Sequence, residues 1–239
     1  PLFSAPPGAV LRAPPPRGAT RRKTAPPPPP PPDVPRLSIE DGDTRIDRTI
    51  LGSGVRVLTQ TIPATKSAGV SLWVPVGSRD EGERTAGSTP FLEPLLFKGT
   101  TKRSALDIAV AFDSVGGESN AETAREHTAY WARVRDADLD MAIETLTDMV
   151  TDSRLDEEDF SMERGVILDE LAMGEDSPTD TFHDTFQLAV HGDRPIGRPV
   201  GGTPQAIREV ERADVWEHYQ AHYGPSSLIV AAAGNVDHE

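Results

Sequence analysis

The stretch that decides the fold reads Ala86-Gly-Ser-Thr-Pro90-Phe-Leu-Glu93-Pro94-Leu-Leu-Phe-Lys-Gly-Thr100 and follows Gly77-Ser-Arg-Asp-Glu81. Pro90 suits the first turn of a helix, with Thr89 as the N-cap residue. Pro94 then lies about one turn inside, where it lacks an N–H group and clashes with the carbonyl four residues earlier. An interior proline costs about 3 kcal/mol. We therefore predict a helix that is kinked at Pro94 or that begins late.

Composition excludes several classes of protein. The chain has 239 residues, 24 Lys and Arg against 38 Asp and Glu, a formal net charge of -14 and no Cys. An acidic surface repels phosphate backbones, so we expect no nucleic-acid partner. Without Cys there is no disulfide framework, cysteine metal ligand or cysteine nucleophile. No apolar run is long enough to predict a membrane span.

The charge divides the chain into two predicted parts. Residues 1–36 are basic and rich in proline, including the unbroken run Pro26–Pro32. Such a segment buries little apolar surface and favours an extended conformation, so we interpret it as a disordered tail. A docking site for a proline-binding domain is the alternative. Residues 37–239 are acidic and long enough to bury a core of their own.

The periodicity of the acidic part predicts α+β architecture, with a mostly antiparallel sheet packed by long helices. Ala68–Val76 alternates like a strand, and Pro75 indicates either a sheet edge or a strand end. Ser104 starts a helix with a capping box. Other predicted strands are Thr44–Ile50, Val55–Thr61, His127–Val134 and Leu228–Ala233, and other predicted helices are Leu139–Val150, Asp156–Met173, one after Pro178, and short ones from Thr203 and Ala213.

Several motifs together resemble the pitrilysin/insulinase family of zinc peptidases, which includes the mitochondrial processing peptidase. The resemblance covers about residues 44–239 and implies one processing-peptidase-like half. It rests on the opening stretch and on five others in family order, namely Val115-Gly-Gly-Glu-Ser-Asn120-Ala, Arg125-Glu-His-Thr-Ala-Tyr-Trp-Ala-Arg133, Glu163-Arg-Gly-Val-Ile-Leu-Asp-Glu170, Gly197-Arg-Pro-Val-Gly-Gly-Thr-Pro204 and Ala232-Ala-Gly-Asn235.

The resemblance also implies where a zinc site would lie, and this sequence departs from it. The family carries zinc-binding histidines where Pro90 and Pro94 stand here. Glu93 matches the general base, Glu170 the third ligand and Glu163 its outer-shell partner. Because proline has no side-chain donor for zinc, we expect that the family cofactor, zinc, is not bound and that hydrolysis by the family mechanism is lost.

Two further predictions concern binding. Asn120 and Ala121 match the edge strand that pairs with extended peptide in the family. Glu122 stands where relatives tend to carry a large apolar residue, so a peptide substrate is doubtful. His218 and His222 are four residues apart, a spacing that suits a metal on a helix, but we interpret them as two exposed histidines near a helix end.

The leading hypothesis is a non-catalytic interaction or scaffolding subunit that pairs with a homologous peptidase half or an active subunit. The alternative is a zinc endopeptidase that works only with a partner half or an unusual metal site. An eroded gene product is the third reading. Family members enclose substrate between two homologous halves. We therefore expect either that this chain is a fragment or that the second half is a separate partner. We expect a bacterial cytoplasmic location, with the mitochondrial matrix as the alternative.

Overall fold

A computed structural model describes residues 36–82 and 84–239. The predicted tail lies outside the described residues, apart from Arg36, and stays a prediction. Seven strands form one sheet in the order β1-β2-β3-β7-β4-β6-β5. Their bounds are β1 Arg36–Asp41, β2 Thr44–Ile50, β3 Arg56–Thr61, β4 Ser67–Val74, β5 Glu118–Thr123, β6 Thr128–Arg135 and β7 Ile229–Gly234.

The sheet confirms the predicted α+β class. All neighbouring strands run antiparallel except β3 and β7, which pair in parallel. Strand β4 ends at Val74 and lies between β7 and β6, so of the two predicted alternatives for Pro75 the strand end is confirmed. Strand β1 was not predicted at all.

Seven α-helices accompany the sheet in the described part of the chain. Their bounds are α1 Ser88–Leu95, α2 Ala105–Asp113, α3 Leu139–Thr151, α4 Glu157–Glu175, α5 Pro178–His191, α6 Pro204–Glu209 and α7 Arg212–His222. The Ser104 hydroxyl accepts the N–H of Asp107, while the Asp107 carboxylate accepts the N–H of Ser104. This reciprocal pair is the predicted capping box, and it begins α2.

The core lies between the helices and one face of the sheet. Strand β4 alternates buried and half-buried residues, and its buried set includes Val70, Leu72 and Val74. These side chains join one apolar cluster with α1 and α3, which contribute Phe91 and Leu146 among others. Strand β7 was predicted to be a buried strand, but most of its residues are only half-buried. The alternating burial along β4 therefore indicates that the helices cover only one face of the sheet.

Candidate functional site

A cleft of about 640 Å³ opens between α1, α2, α4 and the edge strand β5. It brings together the residues that sequence reasoning singled out from three separate stretches. These are Pro90, Glu93 and Pro94 on α1, Asn120 and Ala121 on β5, and Glu163 and Glu170 on α4. The predicted site residues therefore share one cavity.

Helix α1 begins differently from the prediction. Its N-cap is Gly87, which has a φ of 89°, and not Thr89. The buried carboxylate of Glu81 accepts the backbone N–H groups of Gly87 and Thr89, each at 2.7 Å. These bonds satisfy donors that the first turn leaves free, so Glu81 takes the part of a capping side chain. Burial raises the pKa of the Glu81 carboxyl, and the N–H bonds oppose that shift.

Helix α1 also continues past its interior proline. It starts at Ser88, so Pro90 lies in the first turn, and it runs through Pro94 to Leu95. The N–H of Leu96 still bonds to the carbonyl of Leu92 at 3.3 Å. Pro94 thus removes one donor and the helix ends one residue later, at Leu95, while a kink at Pro94 stays a prediction.

Burial of one face explains why α1 persists. Phe91, Leu92 and Leu95 are fully buried. The Phe91 ring stacks on the ring of Phe160 in α4, with centroids 4.4 Å apart. Tyr130 of β6 donates its hydroxyl to the Leu92 carbonyl at 3.2 Å. Tertiary packing therefore offsets the cost of the proline and fixes α1 against α4 and the sheet.

The cleft contains an ion pair whose lysine sequence reasoning did not single out. Glu163 is buried on α4, and the Nζ atom of Lys98 lies 2.6 Å from its Oε1 atom. Lys98 follows α1 in the quoted stretch Phe-Lys-Gly-Thr. A buried carboxylate needs such a partner, because an unpaired buried charge is costly.

The other two carboxylates of the cleft are less protected. Glu93 is half-buried, and Glu170 lies exposed at the rim of the cleft. Loss of water on the cleft side raises the pKa of the Glu170 carboxyl, and the negative charges of Glu93 and Glu163 raise it further. The α4 wall therefore carries carboxylates that repel Glu93 across the cleft.

The donors available for a metal are limited. Pro90 and Pro94 contribute no side-chain donor, and the Glu163 carboxylate is already paired with Lys98. Within residues 36–82 and 84–239, no group of three or more His, Asp or Glu side chains is placed so that it could hold a metal ion. The cleft offers carboxylates without imidazoles, which does not fit the nitrogen-containing ligand sets that are typical of zinc peptidases.

Asn120 and Ala121 lie on β5, an edge strand, and their contact with a peptide stays a prediction. Strand β5 is at one end of the strand order, so one of its edges has no strand neighbour among the described residues. The Asn120 side chain, however, accepts the N–H of Ala121 at 2.8 Å. Ala121 is buried, and Glu122 is exposed. The free edge of β5 can offer backbone pairing, while the side-chain oxygen of Asn120 already accepts a hydrogen bond from Ala121.

The histidine pair on α7 corrects another prediction. His218 is buried, with 3% of its surface exposed, although two exposed histidines were expected. The rings of His218 and His222 lie 4.5 Å apart. Burial, with a smaller contribution from the neighbouring His222, lowers the pKa of His218 to about 4. His218 is thus a neutral side chain packed under the surface at pH 7.

Comparison with known proteins assigns the chain to one family. Residues 56–204 match the family model described as insulinase, peptidase family M16. An uncharacterized zinc protease of Streptomyces coelicolor is 51% identical over 199 residues, which is 83% of this chain and 43% of that protein. A probable mitochondrial-processing peptidase subunit beta of Arabidopsis thaliana is 34% identical over 82% of this chain and 37% of its own length.

Solved structures agree in fold. A protease from Helicobacter pylori has a TM-score of 0.77 and 26% identity, covering 82% of this chain and 47% of that one. A structure described as a peptidase M16 inactive domain from Pseudomonas fluorescens has a TM-score of 0.73 and 14% identity, covering 80% and 47%. The chain thus spans less than half the length of these relatives. Among the described helices, none has the length and apolar character required to cross a membrane.

Proposed function

Because the chain belongs to the insulinase family, peptidase family M16, we propose that it is a non-catalytic member that acts as an interaction or scaffolding subunit. The observation that carries the proposal is the α1 wall of the cleft. Pro90 and Pro94 occupy the places where the family has zinc-binding histidines, and they face the cleft beside Glu93. Removing two inner ligands of three costs more than the roughly 10–100-fold that follows loss of an outer-shell partner.

The remaining site residues have non-catalytic roles in such a subunit. Glu93 is a relic of the general base, since it has no zinc-bound water from which to take a proton. Glu170 is a relic ligand, and Glu163 serves the packing of the cleft through its ion pair with Lys98. Asn120 and Ala121 remain candidates for contact with an extended peptide chain, which would be held but not cleaved.

The proposed partner is a homologous peptidase half or an active subunit. The support is the coverage: the chain spans 43% of its Streptomyces coelicolor relative, and the Arabidopsis thaliana relative is named as a subunit. We propose a bacterial cytoplasmic location, supported by the bacterial source of the relative at 51% identity. The mitochondrial matrix is the alternative, supported by the plant relative.

A second candidate function is a zinc endopeptidase that needs a partner half or an unusual metal site. The observation in its favour is that a relative as similar as 51% is named a zinc protease. In this reading a partner supplies ligands that the cleft lacks, or His218 and His222 contribute to a site elsewhere. The two functions differ in whether the chain holds metal and needs Glu93.

The deciding experiment is the zinc content per chain after purification and dialysis. We expect close to none for the natural chain and close to one ion per chain for the Pro90→His/Pro94→His variant. The matched control is Pro90→Ala/Pro94→Ala, which removes both prolines without adding a donor and should also hold none. Peptide hydrolysis that is sensitive to a chelator and lost in Glu93→Gln would overturn the non-catalytic reading and support the endopeptidase.

A further inference from the structure

Three buried polar side chains near the start of α1 each have a polar atom without a hydrogen-bond partner among the described residues. They are Ser78 in the 3-10 turn Ser78–Asp80, Ser88 at the start of α1, and His218 on α7, and they expose 4%, 0% and 3% of their surface. The unpartnered atoms are the two Oγ hydroxyls and the imidazole Nε2. Because a buried polar atom without a partner costs free energy, native proteins nearly always supply one.

The three side chains lie on segments that pack on one another. Helix α1 contacts both α7 and the turn that contains Ser78. The loop between that turn and α1 is fastened to α7, because Arg84 pairs with Asp214 at 2.9 Å. His218 is one helical turn beyond Asp214, on the same side of α7. Burial lowers the pKa of His218, and the carboxylate of Asp80 opposes that shift, which indicates that this turn lies near the ring.

The polar groups around this junction already have partners of their own. The Glu81 carboxylate accepts the backbone N–H groups of Gly87 and Thr89, each at 2.7 Å. The Asp80 carboxylate accepts the backbone N–H of Gly77 at 3.0 Å. The described protein atoms therefore leave the two hydroxyls and the imidazole to be satisfied by a small polar molecule.

The chemistry of the three atoms selects the ligand. Each hydroxyl can donate or accept a hydrogen bond, and Nε2 of the neutral imidazole offers one further donor or acceptor. Within the described part of the chain, no three His, Asp or Glu side chains are placed to hold a metal ion. An anion would meet the carboxylates of Asp80 and Glu81. Water fits, because it donates and accepts at once and needs only two to four polar partners.

We propose that the junction of Ser78, Ser88 and His218 is a buried hydration site, in which ordered water bridges the imidazole of α7 to the hydroxyls near the start of α1. The water links α7 to the helix that carries Glu93 without a direct hydrogen bond between the two helices. Buried waters of this kind make about three hydrogen bonds each and are costly to remove. The inference goes beyond the proposed function, since it requires neither zinc nor a partner.

A high-resolution crystal structure of the full chain tests the site directly. We expect a water oxygen at hydrogen-bonding distance, about 2.7–3.2 Å, from His218 Nε2 and from the Oγ atom of Ser78 or Ser88. In solution, nuclear Overhauser effects should connect the His218 ring protons to a long-lived water. A junction in which Nε2 bonds directly to a protein group, or contacts apolar atoms only, would overturn the proposal.

Variants test whether the hydroxyl and the imidazole share one water. His218→Phe keeps an aromatic ring and removes Nε2, and Ser88→Ala removes the hydroxyl. Each should lower the melting temperature, and the double variant should lose less than the sum, because both substitutions remove partners of the same water. His222→Phe on the same helix is the matched control, and it should keep the water contact of the His218 ring. Additive losses, or a water contact that persists in Ser88→Ala/Ser78→Ala, would contradict the shared site.

Discussion

The two helices that wall the cleft differ in which residues they bury and which they present to the cleft. Helix α1 keeps its core-facing residues, with Phe91, Leu92 and Leu95 fully buried, while its cleft side carries two prolines. Helix α4 buries only Phe160, Glu163 and Ile167, yet it keeps both of its cleft carboxylates. Packing and chemistry are therefore specified by separate faces, and one can change while the other holds the fold.

The largest expected effect tests the packing side of α1. Phe91→Ala removes a fully buried ring that stacks on Phe160, so we expect a loss of about 3–5 kcal/mol in the free energy of unfolding. Urea denaturation of both proteins measures it. The control Phe182→Ala removes an exposed ring and should stay within about 0.5 kcal/mol. A similar cost for both would mean that α1 does not anchor the cleft.

An intermediate effect tests the charge that links the two walls. Lys98→Met leaves the buried Glu163 carboxylate without its partner, and we expect a loss of about 2 kcal/mol at pH 7, below the full buried-pair cost because the lysine is one-third exposed. Adding Glu163→Gln should recover much of this loss in a double-mutant cycle. Lys66→Met, with a side chain 88% exposed, is the control and should be near neutral. Additive single effects would refute the coupling.

The smallest effect concerns the exposed carboxylate of α4. The folded pKa of Glu170 is raised, so the folded state binds more protons than the unfolded state around that pKa, and stability falls as pH rises through it. Glu170→Gln should therefore raise the free energy of unfolding by a few tenths of a kcal/mol at pH 7, about the size of an exposed charge effect. Below pH 4 the substitution should change it little. Asp169→Asn on the same helix is the control. Thermal melts across pH would contradict this if Glu170→Gln were destabilising at pH 7.

Local patterns were enough to predict most elements. The alternation of β4 and the capping box of α2 are readable because neighbouring residues determine them. Strand β1 was missed because the short segment Arg36–Asp41 adjoins the proline-rich tail and has only two alternating apolar residues, Leu37 and Ile39, both of which are exposed. The burial of β7 was overestimated because an apolar sequence does not reveal that the helices cover only one face of the sheet.

The site was partly predictable for a similar reason. The positions of Pro90, Glu93 and Glu170 follow from the motif, and the structure brings them to one cleft. Lys98 and Glu81 were missed because their partners depend on how distant segments fold together. Lys98 pairs with a residue on another helix, and Glu81 caps α1 across an intervening loop. His218 was misjudged because spacing alone does not show which side of α7 is covered.

The position of β7 has a consequence for how the chain folds. Strands β1, β2 and β3 form one ladder, and β4, β6 and β5 form another, and β7 alone hydrogen-bonds to both. On the ribosome the two ladders can form as separate hairpin-rich units, but they join into one sheet only after β7 has emerged. Such long-range pairing slows folding and leaves strand edges open to aggregation in the meantime. The topology therefore leaves the facing edges of β3 and β4 unpaired until β7 is made, independently of the cleft.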